Sequence, residues 1–197
     1  MKNKIAAVVL TLAMLVPATS YAAGSYRSNN TTSAIGSTKV YLGVKYGVLT
    51  IEPDAAGADD IETDNLGFMF GGHFNDYLSL EFDYTETVSS GKDNFLGTVT
   101  RVKTDTTGIF LVARTTGTAY VKGRVGYSWI DQDVSDAGTD RIYGLAYGAG
   151  VGFELGDTFA IEGEYTIYPK TDEFDRFGSA GDLDTSLLSV NAVWSYN

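Results

Sequence analysis

A single histidine, His73, is the first candidate for catalysis in a sequence of 197 residues that contains no cysteine. A histidine acts as a general base when a Ser nucleophile or an orienting Asp lies beside it. The residue two positions after His73 is Asn75, so the local sequence supplies no His-x-Ser pair. Without cysteine there is no thiolate nucleophile, disulfide or Cys-ligated zinc. We therefore predict that His73 makes hydrogen bonds and that the protein is not an enzyme.

Two acidic stretches are candidates for cation binding. Oxygen-bearing side chains alternate over 131–136, as they do in calcium loops. An EF-hand needs Gly at its sixth position and Glu at its twelfth, where this chain has Asp136 and Ile142. The other stretch has no basic residue and contains Glu52, Asp54, Asp59, Asp60, Glu62 and Asp64. We predict solvated acidic loops with no defined metal site and no cofactor, and weak, unspecific binding of divalent cations to these loops stays open.

Composition narrows the class of protein. The chain has 25 acidic and 14 basic side chains, a net charge of −11, which argues against nucleic-acid binding. It has 23 glycines, 13% aromatic residues and 3 prolines, which favours strands joined by tight turns. The glycine-rich run over 148–152 continues a strand pattern with no helix after it, so it does not predict a phosphate-binding loop.

The first 22 residues have the organisation of a secretory signal peptide. Lys2 and Lys4 precede an apolar run over 5–16, and Ser20-Tyr21-Ala22 has the small-x-small pattern of a cleavage site. The run is shorter than the ~20 residues that span a bilayer as a helix. We predict a signal peptide over 1–22 that is cleaved near Ala22, a flexible polar segment over 23–37, and one folded domain over 38–197.

From Thr38 onward, apolar and polar residues alternate with the period of two that is typical of β-strands. The segments are about ten residues long, which is the length of a tilted membrane-spanning strand. There are eight of them, over 38–49, 65–75, 77–85, 106–114, 119–130, 142–155, 158–168 and 185–196.

The connections between these segments alternate between short and long. Residues 75–77, 115–118 and 155–158 are predicted tight turns, whereas 52–64, 87–105, 131–141 and 169–184 are predicted long hydrophilic loops. Outer-membrane barrels have short periplasmic turns and longer external loops. The alternation and the even number of segments therefore predict an all-β fold, an eight-stranded antiparallel up-and-down transmembrane β-barrel.

The two faces of the strands indicate which one points inward. In a soluble barrel of the lipocalin type, the apolar face would line the interior. Here the opposite face is rich in glycine, and the apolar face carries no charge and too many aromatic rings for a narrow interior. We therefore predict that the apolar face meets lipid. Near the segment ends it carries the residues of a membrane-interface aromatic girdle, Tyr46, Phe74, Tyr84, Trp129, Phe153, Phe159, Trp194 and Tyr196.

The polar face then lines the lumen and contains five acidic and five basic residues. They are Glu81, Asp83, Glu154, Glu162 and Glu164, and Lys39, Lys45, Arg114, Lys122 and Arg124. Charges in a narrow, poorly hydrated space are costly unless they are paired. An eight-stranded barrel is only just wide enough for its own side chains. We predict a lumen charge network that fills the barrel with polar side chains and leaves no open pore.

Together these features resemble the small outer-membrane β-barrel proteins, the superfamily of the OmpA transmembrane domain, OmpX and Ail, and the opacity-type surface proteins. The last strand is similar to the C-terminal signal of these barrels, although it ends in Asn197 after Tyr196 where the family usually has Phe or Trp. The resemblance implies an outer-membrane location and contact with outer-membrane lipid and lipopolysaccharide. It also implies recognition of the last strand by the outer-membrane assembly machinery.

Three functions stay open at this point. The first is a structural or surface-interaction barrel, expected to be a monomer, whose acidic external loops contact an extracellular ligand that the sequence does not name. The alternative is a narrow porin-like channel for ions or small solutes, which requires the lumen charge network to open. The third is a lipid-modifying enzyme, which would need a second catalytic group beside His73.

Overall fold

The computed structural model describes residues 39–53, 60–89, 91–95, 98–134, 138–170 and 183–196. The predicted signal peptide over 1–22 and polar segment over 23–37 lie outside these residues. The strands are β1 (Val40–Pro53), β2 (Ile61–His73), β3 (Leu78–Ser89), β4 (Gly91–Phe95), β5 (Thr98–Arg114), β6 (Ala119–Val134), β7 (Gly138–Glu154), β8 (Phe159–Ile167) and β9 (Leu183–Tyr196). In the described part of the chain no helix is long and apolar enough to cross a membrane.

The antiparallel sheet closes on itself. β1 pairs with β9 from Val40 opposite Tyr196 to Pro53 opposite Leu183, and β3 pairs with β5. β4 follows β3 after one residue and pairs with the beginning of β5, so it extends a hairpin and leaves eight strands in the wall. The predicted eight-stranded antiparallel barrel is confirmed.

The barrel has two different ends. At the short-turn end, three tight connections follow β2, β5 and β7, and β1 begins and β9 ends there. In the first turn, the Oδ1 of Asn75 accepts hydrogen bonds from the backbone N–H groups of Tyr77 (2.8 Å) and Leu78 (2.9 Å), which is an Asx turn. At the opposite end, which we call the long-hairpin end, β1–β2, β4–β5 and β6–β7 form hairpins.

Strands extend into segments that the sequence predicts as loops. β5 begins at Thr98, inside the predicted loop 87–105, and β6 and β7 reach Val134 and Gly138, inside the predicted loop 131–141. Asp131 and Asp133 of the calcium-like stretch therefore lie on β6 and not in a loop. Paired strands can continue as a polar hairpin because each further pair adds backbone hydrogen bonds. The alternating pattern marks the bilayer-facing part of each strand and underestimates its full length. Residues 54–59, 90, 96–97, 135–137 and 171–182 of the predicted loops lie outside the described residues.

The exposure of side chains is inverted relative to a soluble barrel. Leu145 and Val151 point outward and are 70% and 61% exposed, whereas Lys45 and Glu81 point inward and are each 1% exposed. Consecutive residues of a strand alternate between these two faces, with the assignment that the sequence predicts. The apolar surface is thus available to lipid, and the chemistry that the fold positions lies inside.

Candidate functional site: the filled lumen

Seven charged side chains form a continuous cluster in the middle of the lumen, which we call the charged layer. They come from β1, β3, β6 and β8 and are Lys45, Glu81, Asp83, Lys122, Arg124, Glu162 and Glu164. Each lies at an inward position of its strand, and none is more than 6% exposed. The alternation of the strands therefore brings together residues that are up to 119 positions apart.

Glu164 is the centre of this layer. Its carboxylate lies 2.8 Å from the Nζ of Lys45, 2.6 Å from the Nζ of Lys122 and 2.6 Å from the Nη1 of Arg124. Three cations around one carboxylate make its ionised form strongly favoured in a space with little water. Glu164 thereby joins β8 to β1 and to β6 across the lumen.

Arg124 contacts three acidic residues of the charged layer and one aromatic ring. Its Nη1 donates to the Oε1 of Glu81 at 2.9 Å as well as to Glu164, and its Nη2 donates to the Oδ2 of Asp83. Its guanidinium carbon lies 3.3 Å from the centre of the Phe110 ring, a cation–π contact. Asp83 also accepts a hydrogen bond from Lys45 at 2.9 Å. Losing Arg124 would therefore leave several acidic groups with fewer partners.

Two buried tyrosines complete the charged layer, and the sequence did not single them out. Tyr41 donates to the Oε2 of Glu81 at 3.0 Å, and Tyr120 donates to the Oε1 of Glu162 at 2.5 Å. Each ring lies over a glycine on the neighbouring strand, Gly71 or Gly152, where a Cβ would overlap the ring. A tyrosine at an inward position opposite a glycine is the sequence signal for this arrangement.

A hydrophobic cluster, which we call the apolar layer, occupies the lumen between the charged layer and the long-hairpin end, beside buried threonines such as Thr63, Thr85 and Thr106. It consists of Leu49, Ile51, Ile130, Ile142, Ala146, Tyr168 and Leu187, with Phe110 and Val112 at its boundary with Arg124. The sequence predicts a polar interior throughout, so this layer is a difference between prediction and structure. Its residues occupy inward positions near the ends of strands, where apolar side chains can pack together as in a small core.

The remaining inward charges lie at the short-turn end, outside the charged layer. Arg114 and Glu154 form a separate pair at 2.6 Å and are partly exposed. Lys39 is half-buried just before β1 begins. His73 is half-buried, and its ring centre lies 4.9 Å from that of Tyr41. The ten predicted lumen charges thus divide into one buried cluster of seven, one rim pair and one separate lysine.

A cavity opens at the short-turn end and reaches the charged layer. Its empty volume is about 480 Å³, counted out to solvent at the mouth. Ser79, Arg114 and Glu154 line its walls, and Glu81, Lys122 and Glu162 lie at its inner end. In the part of the chain that the structure describes, no three His, Asp or Glu side chains form a group that could hold a metal ion.

The predicted aromatic girdle residues all point outward. Tyr46, Tyr84 and Trp129 lie towards the long-hairpin end, and Phe74, Phe153, Phe159, Trp194 and Tyr196 lie towards the short-turn end. Tyr84, Thr107, Trp129 and Tyr143 are successive cross-strand partners, so Tyr143 extends the predicted set. Phe159 and Trp194 pack with ring centres 5.2 Å apart. Two aromatic levels on the lipid-facing surface are typical of membrane interfaces.

Comparison with known proteins agrees with this architecture. The sequence profile of the outer membrane protein beta-barrel domain matches residues 7–195. A comparison with curated proteins gives no significant match.

Solved structures with the same fold include three outer-membrane or surface proteins. One is Ail of Yersinia pestis, the attachment invasion locus protein, solved in complex with the heparin analogue sucrose octasulfate. It is 16% identical in sequence with a TM-score of 0.54, and the match covers 81% of this chain and 99% of Ail. Neisserial surface protein A is 14% identical with a TM-score of 0.58, covering 80% and 97%. OprG of Pseudomonas aeruginosa is 12% identical with a TM-score of 0.56, covering 84% and 100%. The chain therefore belongs to the outer membrane protein beta-barrel domain family and is a protein of the outer membrane.

Proposed function

We propose that this protein is a closed-lumen surface-interaction barrel, with its short-turn end in the periplasm and its long-hairpin end outside the cell. The observation that carries the proposal is the filling of the lumen at two successive levels, the charged layer and the apolar layer. A solute would have to separate buried ion pairs and then displace the packed side chains of the apolar layer and the threonines beside them. The porin-like alternative requires both layers to open.

The long-hairpin end supplies a surface for an external partner. The side chains described at this end include three basic ones, Lys103, Arg141 and Lys170, and nine acidic ones, Glu52, Asp60, Glu62, Asp64, Glu86, Asp105, Asp131, Asp133 and Asp184. Arg141 is held by a bidentate contact with Asp131, and Lys170 by a contact with Asp184. The acidic excess favours a cationic partner and disfavours a polyanion. This distinguishes the chain from Ail, which was solved with a sulfated sugar.

Lipid and lipopolysaccharide are the partners of the barrel wall in this proposal. The apolar outward face and the two aromatic levels fit a bilayer. We further propose that the assembly machinery reads β9, and that the mature protein is a monomer because its sheet closes within one chain. The predicted signal peptide over 1–22 would direct the export.

We also propose that the protein is not an enzyme. Among the described residues, no hydrogen bond links the side chain of His73 to a Ser or a carboxylate, and its ring packs on Tyr41. His73 is the last residue of β2 and lies at the short-turn end. An enzyme that modifies lipopolysaccharide would need its catalytic group at the opposite end of the barrel, which we place outside the cell.

Binding of charged probes to intact cells tests the surface role. Cells that display the protein should retain fluorescent poly-lysine more than empty cells do, and should not retain more heparin. A variant with Asp105→Asn and Asp133→Asn, which removes two of the nine acidic side chains, should lose a measurable part of this gain. The matched control, Asp76→Asn with Asp157→Asn, removes the same charge at the short-turn end and should leave binding unchanged. Equal loss in both variants, or no gain over empty cells, would contradict the proposal.

A further inference from the structure

The charged layer contains unequal numbers of acidic and basic groups. Its four acidic residues are Glu81, Asp83, Glu162 and Glu164, and its three basic residues are Lys45, Lys122 and Arg124. If all were ionised, the layer would carry one excess negative charge. An unbalanced charge in a poorly hydrated interior is costly, and a titratable group in that position tends to become neutral.

Glu81 and Glu162 have the fewest close contacts with cations among the four acidic residues. Glu164 contacts three cations, and Asp83 contacts Lys45 and Arg124. Glu162 contacts Lys122 at 2.7 Å. Glu81 lies 3.9 Å from the Nζ of Lys122, and its one closer cation contact is the Nη1 of Arg124, which it shares with Glu164. Lys122 is likewise shared between Glu162 and Glu164, but its contact with Glu162 is shorter than that of Arg124 with Glu81, and the Glu162 side chain is 8% exposed against 2% for Glu81. The excess charge is therefore least compensated at Glu81.

The hydrogen-bond partners around Tyr41 allow Glu81 to bind a proton. The Tyr41 hydroxyl lies 3.0 Å from the Oε2 of Glu81 and 3.4 Å from the Oγ of Ser79. A tyrosine hydroxyl has one hydrogen, so it can donate to one of these two oxygens at a time. Serine and tyrosine hydroxyls also accept, so both contacts can be hydrogen bonds in either state of Glu81. An ionised Glu81 accepts from Tyr41, which accepts from Ser79, and a Glu81 protonated at Oε2 donates to Tyr41, which donates to Ser79. Glu81 can therefore take up a proton without the loss of a hydrogen bond.

The same three residues lie on a route to solvent. Tyr41, Ser79 and Glu81 all line the cavity that opens at the short-turn end. Glu81 lies at the inner end of that cavity, and Ser79 lies two residues closer to the short-turn end on β3. A proton can therefore reach Oε2 from water at the mouth without crossing the apolar layer.

We propose that Glu81 is a proton-binding site of the lumen, loaded from the short-turn end at neutral pH. The bound proton comes from bulk water and balances the charge of the layer, so that three carboxylates face three cations. The charged and titratable groups around it are Tyr41 and Lys45 on β1, His73 on β2, Asp83 on β3, Arg114 on β5, Tyr120, Lys122 and Arg124 on β6, Glu154 on β7, and Glu162 and Glu164 on β8.

Infrared spectroscopy of the protein in phospholipid vesicles tests this proposal. At pH 7 the wild type should show the C=O stretch of one protonated carboxyl group. Glu81→Gln should remove it, and the control variant Glu86→Gln, at an exposed position of the same strand outside the charged layer, should retain it. The band of the wild type should disappear as the pH is raised, which provides a test that needs no variant. Absence of the band at pH 7, or its persistence in Glu81→Gln, would overturn the proposal.

The dependence of stability on pH and on cations gives a second test. In the unfolded chain Glu81 is ionised above about pH 5, so folding at neutral pH takes up a proton. Stability contributed by that proton is complete at low pH and is lost as the pH rises. The unfolding midpoint of the wild type should therefore fall relative to that of Glu81→Gln between about pH 5 and 8. Replacing choline by Na⁺ or K⁺ at constant ionic strength should change neither midpoint. Stabilisation of the wild type by Na⁺ or K⁺ would show that a metal cation balances the charge and would overturn the proposal.

Discussion

The charged layer and the apolar layer fill neighbouring parts of the same lumen with opposite chemistry. In the charged layer, each side chain depends on specific partners, and Glu164 and Arg124 each contact three or more others. In the apolar layer, side chains such as Leu49 and Ile130 are completely buried and contribute through the area that they bury. We expect the first layer to fail abruptly when one partner is lost and the second to weaken in proportion to the volume removed.

The largest effect is expected from breaking the charged layer at its most connected cation. Arg124→Ala leaves Asp83 and Glu164 with fewer partners, which should lower the free energy of unfolding by about 3–5 kcal/mol. Denaturant unfolding in phospholipid vesicles measures this change. Asp83→Asn added to Arg124→Ala should recover part of the loss. Glu81→Gln should recover little, because we propose that this residue is already neutral. A loss below about 1 kcal/mol would mean that these charges are separately hydrated.

The apolar layer should respond in steps of side-chain volume. Ile130 is fully buried, so Ile130→Val should cost about 0.5–1.5 kcal/mol and Ile130→Ala about 2–5 kcal/mol in the same unfolding measurement. Neither loss should depend on pH between about 5 and 8, since no titratable group is removed. If Ile130→Val lost as much stability as Ile130→Ala, the loss would not depend on the volume removed. The apolar layer would then respond in the same abrupt way as the charged layer, which would contradict the expectation.

A smaller effect is expected from the hydroxyl groups that support the charged layer. Tyr120→Phe removes the hydrogen bond to Glu162 and keeps the ring over Gly152, and should cost about 1.5–3 kcal/mol. Tyr127→Phe, on the lipid-facing side of the same strand, serves as the control for removing a hydroxyl group. If both variants lose the same stability in vesicles, the hydrogen bond to Glu162 contributes nothing specific.

The smallest effect is expected from an ion pair outside the lumen. Arg141 and Asp131 form a bidentate contact at 2.6 and 3.0 Å, but their side chains are 66% and 37% exposed. Arg141→Ala should therefore leave stability almost unchanged, and 1 M salt should remove any difference that low salt reveals. A cost comparable to that of Arg124→Ala would show that burial does not explain the behaviour of the charged layer.

The sequence predicts the wall of the barrel better than its filling. Alternation with a period of two fixes which face each residue occupies, so the inward charges such as Lys45 and Glu164 and the outward aromatics such as Trp129 follow from the pattern. The pattern does not predict the ends of the strands. The β6–β7 hairpin, for example, continues beyond Asp131 through polar sequence because its backbones remain paired.

The partners within the lumen depend on distances across the barrel that no local pattern contains. The sequence places five acidic and five basic residues on the inner face, yet one acid and two bases lie at the rim and leave an unequal cluster inside. The apolar layer was missed because its residues are spread over several strand ends, each contributing one or two inward apolar positions. The girdle is easier to predict, since Tyr84 and Trp129 stand at recognisable segment ends.

The central claim is that two layers close the lumen in series, and conductance of the Arg124→Ala variant across planar lipid bilayers tests it most directly. The wild type and Arg124→Ala should both show no stepwise currents, because the apolar layer stays intact when the charged layer is broken. Each protein is added to the bilayer from lipid vesicles. Recovery of the folded barrel from those vesicles shows that the protein was inserted. Steady single-channel steps from Arg124→Ala alone would contradict the account, since they would show that the charged layer is the one barrier in the lumen.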